Sequence, residues 1–327
     1  MRVLVTGPTG FVGRYLVEHL VERGDVVVGL SRSGAWPASH AGVAGRARIE
    51  RFDLAKDREA ALVEFLARKQ PQVVYHLAAQ SNPSLSMADP RGTWDVNLGG
   101  ALTLFEALRR HAETCTEAPR PRVILVSSGV CYGNPPPDRL PVDELCPLRP
   151  TNHYAASKAA AELVALQSYL AFGTEAVIVR PFNHAGPGQS ETYVLSSLCR
   201  QVAEVEAGLR PEVEHGNLDV VRDFTDVRDI VRAYRLLSEQ GCAGEAYNIG
   251  TGRDVALSGM LKMLQSMARV PIPTRADPAR MRPVDQPRLL ANANKVAETT
   301  NWRPAWAIEQ TLEDMLNYWR VSIRGSE

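Results

Sequence analysis

The sequence predicts an α/β protein: a doubly wound parallel sheet with a smaller α/β lobe over the carboxyl edge of its strands. Three observations lead there. The chain opens on a β-branched run, a glycine-rich turn and a helix with one apolar side. Apolar runs of strand length then alternate with helical patterns up to residue 181, as parallel βαβ units require. Past that point the alternation weakens into turn-rich and charged stretches. Residues 1–181, rejoined by about 218–250, therefore form the sheet unit. Residues 182–217 and 251–327 supply most of the lobe.

Arg2-Val3-Leu4-Val5 reads as a buried parallel strand. It runs into Gly7-x-x-Gly10-x-x-Gly13, and a helix follows with Leu16, Val17, Leu20 and Val21 on one side and Gly24 at its end. In that setting Gly7 permits the tight turn and Gly10 lets backbone approach a pyrophosphate. Gly13 lets the helix pack on the sheet, and the helix N-terminus favours the anion. This is the Rossmann-type dinucleotide fingerprint. The second strand, Val26 to Leu30, ends in Ser31-Arg32-Ser33. The carboxylate that binds adenosine ribose hydroxyls is missing there. Arg32 is either a partner for the 2′-phosphate of NADP or a loop arginine.

Arg48 to Leu54 reads as the third strand, ending near Asp53, which is placed to accept from an adenine amino group. A helix from Asp57 to Lys69 stops before Pro71. Val73 to Leu77 is the fourth strand, with His76 as a core histidine. Ala78 and Ala79 leave room for a dinucleotide, and Gln80 and Ser81 lie where a substrate reaches. A long helix is expected from Asp89 to His111, with Asn97 inside it bonded to backbone near the cofactor. Arg122 to Ser128 is the fifth strand, ending in hydroxyls at the edge where such sheets bind ligands. A proline-rich loop leads to a helix capped by Thr151 or Asn152. Ala176 to Pro181 is the sixth strand. Asp226 caps a helix from Val227 to Ser238, and Glu245 to Gly250 is a late strand.

Composition excludes several classes. Lys and Arg (37) balance Asp and Glu (37), so no broad charged face for nucleic acid or membrane is expected. The 5 cysteines are scattered without Cys-x-x-Cys spacing, so neither a disulfide framework nor a metal site is expected. No signal-peptide pattern and no membrane-length apolar run is seen, so the expected compartment is the reducing cytoplasm.

The chemistry centres on Tyr154-x-x-x-Lys158. Residues four apart on a helix share a face, and an ammonium beside a phenol lowers its pKa. Tyr154 is then a proton donor or acceptor near neutral pH. Alone the pair is common, and a solvated helix turn would account for it.

Taken together and in this order, Gly7-x-x-Gly10-x-x-Gly13, Ser128 and Tyr154-x-x-x-Lys158 resemble the extended short-chain dehydrogenases/reductases, across essentially the whole chain. These include nucleotide-sugar epimerases, dehydratases and reductases. The family's catalytic hydroxyl lies four residues before the Tyr-Gly of the fifth-strand loop, which is Ser128 before Tyr132. The 4,6-dehydratases carry an acidic residue two positions after that hydroxyl, and Val130 stands there. The segments Arg180-Pro181-Phe182-Asn183-His184 to Gln189, Gly216 to Asp229 and Arg282-Pro283 look like those of GDP-4-keto-6-deoxy-D-mannose reductases, which make GDP-D-rhamnose. Members of that group often have acidic residues where this chain has Gly129-Val130-Cys131.

The resemblance implies hydride transfer from NAD(P)H to C4 of a GDP-linked 4-keto-6-deoxyhexose, with Ser128, Tyr154 and Lys158 catalytic. The implied cofactor residues are Gly7, Thr9, Gly10, Phe11, Val12, Arg32, Asp53, Leu54, Leu77, Ala78, Ala79, Asn97, Val126, Tyr154, Lys158 and Pro181. NADPH is slightly favoured over NADH. The implied substrate residues are Gln80, Ser81, Ser128, Asn183, Gln189, Arg222 and Arg282. A homodimer through a four-helix bundle is also implied. A nucleotide-sugar 4-epimerase retaining NAD would use the same three catalytic residues, and a non-catalytic nucleotide sensor or scaffold would keep only the fold.

Overall fold

A computed structural model describes residues 1–281 and 288–324. Its centre is a parallel sheet of seven strands. These are β1 (Arg2–Thr6), β2 (Val26–Ser31), β3 (Arg48–Arg51), β4 (Val73–His76), β5 (Arg122–Val126), β6 (Ala176–Pro181) and β7 (Ala246–Ile249). The spatial order is β7-β6-β5-β4-β1-β2-β3, all parallel. The order reverses between β1 and β4, which opens a crevice at the carboxyl edge. The late strand thus returns to the main sheet, with Tyr247 opposite Val179.

Alternation along each strand divides the core into two layers. Val3, Val5 and Tyr75 point into one, with helix α1 (Phe11–Glu22) and Ile230, Tyr234 and Leu237 of the helix Val227–Gln240. Leu4 and Val74 point into the other, with helices α2 (Glu59–Lys69), α3 (Gly100–Thr114) and α4 (His153–Phe172). Each fully buried apolar side chain contributes on the order of 1.5–3 kcal/mol, so both faces must be covered for the sheet to be stable.

The helix expected from Asp89 is interrupted. Asp89 caps an α-helical turn, Pro90–Trp94, and a π-helical stretch, Asp95–Gly99, joins it to α3. A π-bulge inserts one extra residue and turns a side chain inward. Here that side chain is Asn97, which is buried. A short helix, Pro83–Ala88, precedes these elements and was not expected. The third strand ends at Arg51, leaving Asp53 in a turn that accepts from the Lys56 and Asp57 amides.

The lobe has its own core. Helices Val194–Glu206, Leu257–Met267 and Ile308–Arg324 enclose Leu198, Val202, Met260, Leu264, Leu312 and Met315. Its strands are short pairs, Asn183–Ala185 with Phe224–Asp226 and Val213–His215 with Thr274–Ala276. A third group joins Val221–Arg222 to Val255–Ala256 and Arg288–Leu289. Asp223 sits at the junction, fully buried. Its carboxylate accepts from Thr251 N (2.8 Å), Thr251 Oγ1 (2.6 Å), Gly252 N (2.9 Å) and Ala291 N (3.2 Å). One side chain thereby ties three distant segments together.

Candidate active site

The crevice opens into a cleft of about 1820 Å³ between sheet and lobe. Pockets for one drug-sized ligand span roughly 300–1,000 Å³. This cleft has room for a dinucleotide and a second nucleotide ligand.

One wall is backbone. Gly7 has φ +72°, and a Cβ there would lie 2.9 Å from Ala78 N. A Cβ on Gly13 would lie 2.2 Å from the Gly7 carbonyl oxygen, so only glycine lets α1 start this close to the turn. Gly10 precedes α1 and no side chain caps the helix. The positive end of the helix is left open to an anion. Thr6 Oγ1 accepts from Ala78 N at 3.2 Å and bonds His76 Nδ1 at 2.9 Å, locking the ends of β1 and β4 together. His76 is the core histidine expected, and burial, then Lys158, pushes it down to about 3. These features fit a dinucleotide pyrophosphate. Thr9, Gly10, Phe11, Val12, Arg32, Asp53, Leu54, Leu77, Ala78, Ala79, Val126 and Pro181 all line the same cleft. Arg32 is exposed just past β2.

Asn97 departs from expectation. It does not line the cleft. Its amide accepts from Gln80 N at 2.7 Å and donates to Gln80 O at 3.1 Å and Ser157 Oγ at 2.9 Å. The buried amide bonds backbone, as expected, but the backbone is that of the β4 exit loop. Through these bonds Asn97 places Gln80.

Ser128, Tyr154 and Lys158 meet on the cleft floor. Ser128 follows β5 and caps the next turn. Tyr154 and Lys158 come from the first two turns of α4, whose cap is Asn152, accepting from Ala155 N at 2.8 Å. The Ser128 hydroxyl acts on the Tyr154 phenol, drawing its pKa down against burial. Lys158 is buried, and its Nζ donates to Val126 O at 2.6 Å.

Burial dominates the electrostatics of the pair. Burial raises the Tyr154 pKa, Cys131 adds to this, the Ser128 hydroxyl opposes it, and Tyr193 raises it further. Lys158 lies one helical turn on, with its Nζ engaged by the Val126 carbonyl oxygen. Tyr154 is therefore a protonated phenol at neutral pH, suited to donating. Burial lowers Lys158 to about 8.

The opposite wall is made of side chains. Asn183, Gln189 and Arg222 line it, with Gln80 and Ser81 at the rim. Gln189 is buried and donates to His184 O at 2.9 Å. Arg222 Nη1 reaches Val221 O at 3.0 Å. Gln80 Nε2 is committed to Asn82 O (3.0 Å) and Thr93 Oγ1 (3.2 Å), so it shapes the loop. Arg282 and Pro283 lie outside the described residues.

Residues not singled out from the sequence also enter. Tyr193 faces Ser81, the hydroxyls 3.3 Å apart, and closes the cleft's flank. His184 stacks on Phe11, with centroids 6.3 Å apart and planes at 1°. Nothing in the local sequence marks Tyr193. His184 sits in the quoted Arg180 to Gln189 segment, but its ring partner comes from α1. No group of acidic, histidine or cysteine side chains among the described residues suits a metal, and no helix among them is long and apolar enough to cross a membrane.

The chain is similar to known proteins over most of its length. Residues 4–315 match the family described as GDP-mannose 4,6 dehydratase. The chain is 34% identical to GDP-6-deoxy-D-mannose reductase of Pseudomonas aeruginosa, over 99% of this chain and 98% of that one. It is 32% identical to a UDP-glucose 4-epimerase of Streptomyces lividans, over 94% and 92%. The solved structure of RMD from Pseudomonas aeruginosa, complexed with NADPH, has a TM-score of 0.83 at 31% identity, covering 98% of this chain and 100% of that one.

Proposed function

The chain belongs to the GDP-mannose 4,6-dehydratase family of extended short-chain dehydrogenases/reductases, and from its site we propose that it reduces the C4 keto group of a nucleotide-linked 4-keto-6-deoxyhexose. GDP-4-keto-6-deoxy-D-mannose, giving GDP-D-rhamnose, is the substrate we favour. The observation carrying this reading is the convergence of Ser128, Tyr154 and Lys158 on the cleft floor, from the end of β5 and the first two turns of α4. Val130 lines the cleft where a dehydratase needs an acid-base group for C5, which speaks for reduction over dehydration.

A bound nicotinamide supplies the hydride. Ser128 and Tyr154 hydroxyls hold the sugar's carbonyl oxygen, where negative charge develops. Tyr154 then gives its proton to that oxygen as the alcohol forms. Lys158 would hold the nicotinamide ribose. Gly7 to Gly13 and the start of α1 hold the pyrophosphate. Arg222, on the cleft wall, is our candidate partner for a substrate phosphate, whose oxygens suit a guanidinium fork. Arg32, standing where an NAD-selective carboxylate would be, favours NADPH slightly.

The experiment is one incubation with dehydratase-made GDP-4-keto-6-deoxy-D-mannose and NADPH, followed by absorbance and product NMR. A reductase oxidises one NADPH per sugar. An epimerase, the activity of the Streptomyces relative, consumes none, and that result would overturn the reading.

We further propose a homodimer through α3 and α4. Leu102, Leu163, Leu170 and Phe172 are exposed on these helices, at 50%, 67%, 72% and 47%. An apolar set of this kind on paired helices fits a two-fold four-helix interface. Sedimentation at micromolar concentration should give twice the chain mass.

A further inference from the structure

Directly behind the catalytic residues lies a buried polar network that touches no part of the cleft except through Ser127. Tyr154, Lys158 and Glu162 are spaced four apart, so α4 presents all three on one face. The first two look into the cleft. Glu162 lies one turn further, beneath it, and its carboxylate accepts from three directions. Arg180 of β6 gives Nε at 3.1 Å to both oxygens and Nη2 at 2.6 Å. Ser127, beside Ser128 at the end of β5, donates its hydroxyl to Oε1. The pair is deeply buried, with side-chain exposures of 9% for Arg180 and 5% for Glu162.

The network continues outward. Arg180 Nη1 donates to Tyr132 Oη at 2.8 Å, and Tyr132 donates to Asn248 Oδ1 of β7 at 2.7 Å. Asn248 Nδ2 holds Val142 O at 3.0 Å, and its backbone N–H holds Glu144 Oε1 at 2.7 Å. Cys131 Sγ bonds Ala155 O at 3.3 Å, clasping the loop after Ser128 to the first turn of α4.

Stability does not account for an ion pair here. Burying two charges costs several kcal/mol per ion, and apolar replacements are often as stable or more so. What this pair supplies is registration. Ser128 and Tyr154 come from different elements, and a displacement of about 1 Å between reacting groups can cost on the order of a hundredfold in rate. We propose that Glu162 is a positioning residue, which through Ser127 and Arg180 fixes the end of β5, and so Ser128, against the helix carrying Tyr154 and Lys158. The proposal rests on the catalytic reading above and adds a part that touches no ligand.

Glu162 also acts on Lys158. The groups bearing on that ammonium are Cys131 from the loop, Glu162 from α4 and His76 from β4. Burial pushes the Cys131 thiol up to about 12 and His76 down to about 3. Both are uncharged near neutral pH, so Glu162 is the negative charge that helps keep Lys158 protonated.

The test compares Glu162→Gln, the apolar pair Glu162→Leu with Arg180→Met, and Tyr154→Phe. For Glu162→Gln we expect kcat to fall about 10- to 100-fold, with both KM values and NADPH affinity by fluorescence titration within about twofold. The alkaline limb of its pH profile should move to lower pH, because Lys158 loses the charge that favours its proton. The apolar pair should unfold near the wild-type midpoint yet keep the low kcat. Wild-type turnover and an unshifted profile in Glu162→Gln, with Tyr154→Phe inactive, overturn the positioning role and leave the catalytic reading standing. Full turnover by the apolar pair also overturns it, because the network is then only structural. Full turnover by Tyr154→Phe overturns the catalytic reading itself.

Discussion

The wall of the cleft that suits a pyrophosphate is contained in one short stretch, Thr6 to Gly13, whose shape depends on missing Cβ atoms and an uncapped helix start. The facing wall draws Asn183, Gln189 and Tyr193 from one segment and Arg222 from another distant in sequence, beside the Asp223 junction. The first wall is backbone and local. The second is side chain and collective. The difference teaches that one fold can keep a fixed cofactor seat while its substrate wall changes residue by residue.

The largest test of the comparison lies on the floor where the walls meet. Tyr154→Phe removes the proton donor and should lower kcat by about a hundredfold or more. Cofactor affinity should survive, because the phosphate cradle is elsewhere. Near-normal turnover in this variant would remove Tyr154 from the chemistry.

Next is the junction holding the substrate wall. Asp223→Asn turns one acceptor oxygen into a donor facing backbone N–H groups, at a cost of about 2–3 kcal/mol in unfolding free energy. We expect the KM for the sugar nucleotide to rise while NADPH affinity stays within about twofold. Equal damage to both ligands would show that the walls are not separable.

Arg32 probes the exposed rim of the cofactor wall. Arg32→Ala should weaken NADPH about tenfold and leave NADH little changed. Michaelis constants for both cofactors in both proteins measure this. An equal loss for the two would place Arg32 in structure.

The smallest effect concerns His76, which locks β4 to β1 behind the cradle. Burial holds it neutral, down to about 3, against 6.5 in the unfolded chain. Below pH 6.5 the unfolded chain takes up a proton that the folded chain refuses. Stability is therefore lost as pH falls from 6.5 toward 3, by about 1.4 kcal/mol at pH 5.5 from this group. His76→Asn should flatten that part of the curve, read from denaturant unfolding at pH 7.5 and 5.5. An unchanged slope would place the acid sensitivity in other groups.

Much of the sheet was legible because its signals are local. β-branched runs, the glycine spacing around α1 and the Asn152 and Asp226 caps each act within a few residues. The π-bulge at Asp95–Gly99 was not legible, because only contact with Gln80 and Ser157 explains why the helix widens there. Asn97 was therefore read as a cofactor contact, and the Asp89 helix as one continuous element.

The sequence by itself determined the doubly wound sheet, the phosphate cradle and the presence of Ser128, Tyr154 and Lys158 at their spacing. Backbone conformation and helical periodicity follow from near neighbours, so a linear pattern suffices for these. Tertiary structure decided that Lys158 Nζ meets Val126 O and that burial raises the Tyr154 pKa. It also decided that Glu162 meets Arg180 and Ser127 beneath the site. A pKa depends on desolvation and on charges from every element packed around the group. A buried network depends on which strand ends lie side by side. Both arise only when distant segments meet.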